Sequence, residues 1–167
     1  MTYTVQQIAD WFIASSRAEL RLDDLAEPLT KMKLQKLLYF AQGINLAIHN
    51  QRLFDSDFYA FAHGPITREI QQRYTGKDLP EFSAKVTEQR EYALANNYDE
   101  VSKNEAVTEV LSFVWQEYSG YTAAKLRNLS HIPNGPWASV YRRDEKWIKM
   151  SDQTIGQFFK KNVVEWD

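Results

Sequence analysis

The chain opens on a helical rhythm. Val5, Ile8, Ala9, Phe12 and Ile13 recur at i, i+3, i+4, i+7 and i+8, and Thr4 with Gln7 forms a capping box ahead of them. The spacing predicts a helix that gives out near Leu22, where Asp23-Asp24-Leu25-Ala26-Glu27-Pro28 reads as a polar connection closed by proline. Thr30 is the next N-cap, and the helix behind it carries Met32, Leu34, Leu37, Leu38, Tyr39, Phe40, Ala41, Ile44, Leu46, Ala47 and Ile48. Those positions wrap most of the way round, as in a helix enclosed by other elements, so it is expected at the centre of the fold, with its exit at Asn50-Gln51.

Phe58 to Ala62 is short, aromatic and bounded by Asp57 and Gly64, which fits a strand or extended crossing. Pro65 then suits the first position of a helix that would stack Ile66, Ile70 and Tyr74 and stop between Gly76 and Pro80. From Glu81 to Glu100 the pattern loses its period, and the expectation there is a polar excursion, either a mobile loop or a contact surface. Ser102 and Glu105 form a second capping box before Val107, Val110, Leu111, Val114, Trp115 and Tyr118, with Gly120 as the stop. Thr122 caps a shorter helix bearing Ala123, Leu126 and Leu129, which the His131-to-Trp137 segment breaks. A helical turn around Trp137, Val140 and Tyr141 follows, and Ser151 caps a last helix with Ile155, Phe158, Phe159 and Val163 on one face. The fold expected is mainly α: a compact, single-domain helical bundle over residues 1–167, built around a central buried helix, with at most a short strand or hairpin.

Composition sharpens this picture. Hydrophobic residues make up 44% of the 167 and aromatics 14%, ample apolar surface to offset the entropy of ordering the backbone, which excludes a disordered chain. Twenty Lys and Arg stand against 22 Asp and Glu, a formal charge of -2. Runs such as Arg142-Arg143-Asp144-Glu145-Lys146 compensate themselves, and the balance argues against nucleic-acid binding by this chain alone. The absence of cysteine removes disulfides, thiolate metal sites and cysteine nucleophiles together. Met1 to Gln7 lacks the charged and apolar regions of a signal peptide, and no apolar run reaches membrane-spanning length, so a cytoplasmic protein without membrane contact is expected.

Candidate chemistry is thin. His49, His63 and His131 have no metal-ligand spacing, no serine sits in a nucleophile elbow, and six dispersed glycines make no phosphate cradle. Asp23-Asp24 and Asp55 with Asp57 lie where turn hydrogen bonding explains them. Two constellations deserve weighing, His63-Gly64-Pro65 and His131 near Pro136-Trp137. Each sets a titratable ring beside a rigid turn, and without a nucleophile the structural reading, a ring donating to a backbone carbonyl, is favoured over an active-site rim. No cofactor and no metal are expected.

Lys33-Leu34-Gln35-Lys36-Leu37-Leu38-Tyr39-Phe40-Ala41-Gln42-Gly43, then Leu53-Phe54-Asp55, the His63-Gly64-Pro65-Ile66 turn and Tyr74 together resemble the Panacea domain of SocA-like and GepA-like, phage-associated antitoxins. Tyr121-Thr122-Ala123 leading to Leu126, Leu129-Ser130-His131 and Pro136-Trp137 resemble the family's second block, so the resemblance runs from the first helix to the last. Two departures stand out: Tyr59-Ala60-Phe61 where the family often has Glu-Ala-Trp, and Ile66 for its Val. They keep bulk but lose a carboxylate.

The resemblance implies an antitoxin, not an enzyme, that neutralises a co-encoded protein toxin, commonly one that stops translation, by direct binding. Some relatives instead act as adaptors that deliver the toxin to a cytosolic protease, and self-association is left open. Some also carry a DNA-binding region at one end, for which this length leaves no room. The matching residues Lys33, Leu34, Gln35, Lys36, Leu37, Tyr39, His63, Gly64, Pro65, Tyr74, Thr122, Leu126, His131, Pro136 and Trp137 are expected to be mainly structural. Tyr and Arg are enriched among binding hot spots, so the toxin-facing surface is expected at Tyr59, Phe61, His63, Arg68 and Arg73, with the Glu81-to-Glu100 segment as a second candidate. A hydrolase built on His63 and His131, and a nucleic-acid regulator, are the rival classes.

Overall fold

A computed structural model of the chain describes residues 2–76, 79–83 and 86–165. Helix α1 (Val5–Leu22) begins where the capping box directs it: Gln7 N donates to Thr4 Oγ1 at 3.1 Å and Thr4 N to Gln7 Oε1 at 3.0 Å. Helix α2 (Lys31–His49) starts behind Thr30, whose hydroxyl accepts from Lys33 N, and ends at Asn50, which takes the left-handed conformation (φ 53°) that lets a helix terminate. Every residue from Leu34 to Leu46 on α2 is buried, so this is the central helix expected from its all-round apolar pattern. Each fully buried leucine on it, Leu34, Leu37 and Leu38 among them, contributes about 2 kcal/mol by removal from water.

The extended segment is strand β1 (Phe58–Phe61), which pairs antiparallel with β2 (Gly64–Thr67) in the register Phe58 to Thr67 and Ala60 to Pro65. On its other edge β1 pairs with a two-residue strand, β3 (Ile148–Lys149), giving the order β2-β1-β3. Phe58 and Ala60 face the core, while Tyr59 and Phe61 are half-buried on the opposite face.

Pro65 therefore does not open a helix. It lies within β2, an edge strand where a missing N–H is tolerated, and the helix, α3 (Arg68–Arg73), starts only after Thr67, with Tyr74 as its C-cap. Ile66 belongs to the strand, and only Ile70 is buried on the helix. The stop expected between Gly76 and Pro80 includes residues 77 and 78, which lie outside the described residues.

In the Glu81-to-Glu100 segment residues 84 and 85 lie outside the described residues, and most of the rest is helix, not loop. The segment holds α4 (Pro80–Ser83) and most of α5 (Glu88–Ser102), the latter capped by Thr87 and packed along α1, with Leu94 and Val101 buried. Its polar residues are used in the interior. Asp10, 0% exposed on α1, accepts from Arg90 Nη1 (2.9 Å) and Nη2 (2.7 Å), Asn97 Nδ2 (2.7 Å) and Gln6 Nε2 (2.7 Å). Arg90 also reaches Glu81, which accepts from the Tyr74 hydroxyl at 2.9 Å, so one polar network joins α1, α4, α5 and the end of α3. Hydrogen bonds to the ionised forms hold Glu81 below the usual carboxylate range against the opposing effect of its burial, while burial pushes the Tyr74 phenol up to about 12.

Ser102 likewise ends α5 rather than capping the next helix: its hydroxyl accepts from Trp11 Nε1, and Asn104 caps α6 (Glu105–Tyr118) by accepting from Val107 N. Thr122 caps α7 (Ala123–Ser130), Gly135 precedes α8 (Pro136–Val140), and Ser151 caps α9 (Asp152–Phe159), which runs on into a π-helical turn (Lys160–Val164). Helices α6, α7 and α9 enclose α2 together with α1 and β2, and their buried apolar side chains form one contiguous core.

Candidate functional site

Two groups of side chains stand out: an aromatic and cationic cluster on the outer face of the sheet, and a set of polar groups buried around α2.

The outer face is made by β1, the start of α3 and the residue before β3. Alternation along β1 turns Tyr59 and Phe61 outward. The Trp147 ring lies edge-on to both, its centroid 4.7 Å from that of Phe61 and 5.3 Å from that of Tyr59. Trp147 holds φ 59°, the left-handed region, which turns the chain into β3 and carries the indole over β1. The exposed Arg68 guanidinium lies 4.3 Å from the Trp147 ring centroid and 5.3 Å from that of Tyr59. A cation over an exposed ring contributes about 0.5–1 kcal/mol and fixes the guanidinium plane against it. Beside the cluster a cleft of about 350 Å³ is lined by Arg52, Asp57, Tyr59, Arg68, Glu69 and Gln72. Arg52 is tied down there, donating to Asp57 at 2.6 Å and to Asp152 at 2.6 Å.

Of the interface residues expected from sequence, the structure brings Tyr59, Phe61 and Arg68 together. His63 is exposed in the β1-β2 turn, and Arg73 is engaged elsewhere, beside Glu81 (3.6 Å) and over the Tyr74 ring. Trp147 is the member that the sequence reading missed. Its only signal was a Trp-Ile pair closing the charged 142–146 run, too short to carry a period.

The tip of the hairpin is held from below by α7 and α8. Trp137 Nε1 donates to Phe61 O at 2.7 Å, and the His131 ring lies 3.6 Å from that of Trp137, with Nδ1 2.6 Å from Arg127 O and Nε2 3.2 Å from Ala62 O. Burial lowers the His131 pKa, and Arg127 and Lys36 add to this against the two carbonyls that favour the charged ring. A neutral ring donates through one nitrogen at a time, and the shorter contact is to Arg127 O. The Ser130 hydroxyl, 3.1 Å from His131 Nδ1, gives its own proton to Arg127 O at 2.8 Å. The hydrogen bond to the hairpin is then the one from Trp137, and the His131 ring, held to α7 through Nδ1, packs against that indole. Among the described residues no group of His, Cys, Asp or Glu is arranged to hold a metal.

The other motif residues explain why polar side chains interrupt an otherwise apolar central helix. Gln35 donates to Thr67 O (3.0 Å) and accepts from Thr67 N (2.9 Å), clamping the end of β2. Gln42 does the same for the loop before β1, donating to Phe54 O (2.9 Å) and accepting from Leu53 N (2.8 Å). Lys33 donates to Ser119 O at the end of α6. Tyr39 is enclosed edge-on by Phe58 and Phe159, and burial raises its pKa well above the ordinary phenol. Leu34, Leu37 and Leu126 are core, Tyr74 belongs to the Asp10 network, and Thr122 and Pro136 set helix starts. Gly64 is required twice over: its φ is +115°, and a Cβ there would lie 2.7 Å from Lys36 Cε.

Among the described residues, no helix is long and apolar enough to cross a membrane. Comparison with curated proteins and with solved structures gives no match. A family model described as antitoxin SocA-like, Panacea domain, matches residues 34–138, from the first turn of α2 to α8; this is a shorter span than the sequence resemblance suggested, leaving out α1 and α9. It takes in the clamps, the hairpin and the His131-Trp137 support described above, and on that match the chain belongs to the SocA-like antitoxin family, as a Panacea domain.

Proposed function

We propose that this protein neutralises a co-encoded protein toxin by binding it directly, without catalysis, and that the outer face of the small sheet is where the toxin docks. Membership of an antitoxin family supports the first part. The observation that carries the second is the Tyr59-Phe61-Trp147 cluster with Arg68 laid across it, half-buried rings and an exposed cation of the types that dominate binding energy when a partner excludes water from them. The rings are already locked against each other, so little side-chain entropy is lost on binding. The working unit is residues 1–167 as a whole, because α1 and α9, outside the matched stretch, cover the same central helix.

The test is co-expression with the neighbouring open reading frame, followed by co-purification. A stable complex that is weakened about tenfold or more by Arg68→Ala and by Trp147→Ala, with Arg73→Ala binding as the parent does, supports both parts. A complex indifferent to the first two substitutions moves the interface elsewhere. No complex removes the antitoxin reading.

A further inference from the structure

We infer that Lys36 and Arg127 form a carboxylate-binding site beneath the tip of the β1-β2 hairpin. Lys36 lies on α2 at 1% exposure, and its side chain makes no hydrogen bond or ion pair among the described residues. Its ammonium end packs against Gly64 and Ser130: a Cβ placed on Gly64 would stand 3.1 Å from Lys36 Nζ and 2.8 Å from Ser130 Oγ. The charge that acts on it is not that of an acid but of a second cation, Arg127 on α7. The Arg127 side chain likewise makes no hydrogen bond or ion pair among the described residues, and its Nε is buried with no acceptor. The third titratable group here, His131, feels both cations and no carboxylate.

Burying one unpaired ammonium costs several kcal/mol, and placing an unpaired guanidinium beside it adds repulsion to desolvation. Elsewhere this chain pairs its enclosed cations: Arg90 has Asp10 and Glu81, and Arg52 has Asp57 and Asp152. A buried lysine and a half-buried arginine with no acid between them among the described residues are what remains when the counter-charge comes from outside. Two cationic donors without partners among the described residues match the two oxygens of one carboxylate. Arg127 is partly exposed, so the pair reaches the surface through it. The carboxylate belongs either to an acidic side chain or chain end of the bound toxin, which rests on the reading above, or to a free small acid.

The experiment compares the full chain with its Lys36→Met variant, which keeps the aliphatic bulk and removes the charge. Sodium acetate replaces sodium chloride at constant ionic strength, with the thermal midpoint as readout, and the affinity of each form for the co-purified toxin is measured separately. Without acetate or toxin, Lys36→Met melts no lower than the parent, since it removes an unpaired buried charge. A midpoint that rises with acetate in the parent and not in the variant assigns the site to a free acid. An acetate-silent protein whose variant binds the toxin about thirtyfold more weakly assigns it to a carboxylate of the toxin. Should the parent form no toxin complex, the antitoxin reading fails and the acetate arm alone decides the site. A variant that melts lower, with neither acetate nor toxin telling the two forms apart, makes Lys36 a support of the fold and overturns the inference.

Discussion

Replacing Arg90 by methionine breaks its ion pair with the fully buried Asp10. Asp10 is 0% exposed and keeps four donated hydrogen bonds, two of them from the Arg90 guanidinium at 2.7 and 2.9 Å. In Arg90→Met the carboxylate stays buried with Asn97 and Gln6 alone, two neutral donors in place of a charge. Removing one partner of a buried ion pair costs about 3–5 kcal/mol, because the surviving charge is left uncompensated. In a domain of this size that lowers the thermal midpoint by on the order of 10 °C. Adding Asp10→Asn removes the stranded charge and restores at least half of the loss, a non-additivity expected of groups in one network. Urea unfolding followed by circular dichroism reads both: the midpoint falls in Arg90→Met at unchanged slope and recovers in the double variant. An Arg90→Met protein within about 1 kcal/mol of the parent would refute the view that this network holds α5 on α1.

The other predictions concern α2. Gln35→Leu strands the N–H and C=O of Thr67 in the interior and lowers stability by about 2–4 kcal/mol, measured by the same unfolding curves. Gly43→Ala puts a methyl 2.3 Å from Phe159 Cδ2, costing about 1–3 kcal/mol by overpacking, and Phe159→Leu in the same chain relieves part of it. Burial, helped by Arg127, lowers Lys36 to about 8 from the ordinary 10.5. The unfolded chain therefore binds the extra proton between those values, so stability gained by this group appears as pH rises from about 8 towards 10.5 and is absent below. Relative to Lys36→Met, the parent gains about 3 kcal/mol across that window, and parallel pH profiles for the two would contradict it.

Elements specified by local chemistry were legible in the sequence. The Thr4-Gln7 box, the Thr30, Thr122 and Ser151 caps and the all-round apolar α2 each act within a turn or two of chain, and each stands where the pattern put it. Pro65 misled because proline suits both the first turn of a helix and an edge strand, and only the pairing of Ala60 with Pro65, a tertiary fact, decides between them. Helix α5 hid because it needs few apolar residues: Leu94 and Val101 suffice when Arg90 and Asn97 are satisfied by Asp10, eighty or more positions away in the chain. The same distance hid Trp147, which meets Tyr59 and Arg68 only once β3 joins the sheet. The cation pair of Lys36 and Arg127 was invisible for a similar reason, since neither residue type signals burial or the lack of a partner.

The most direct test of the account is growth of cells induced for the neighbouring open reading frame alone, with this chain, and with its Arg68→Ala/Trp147→Ala variant at matched folded levels. The account predicts arrest in the first, recovery in the second and arrest again in the third. Absence of arrest, or of rescue by the parent, contradicts the antitoxin reading, and full rescue by the variant contradicts the sheet face as the docking surface.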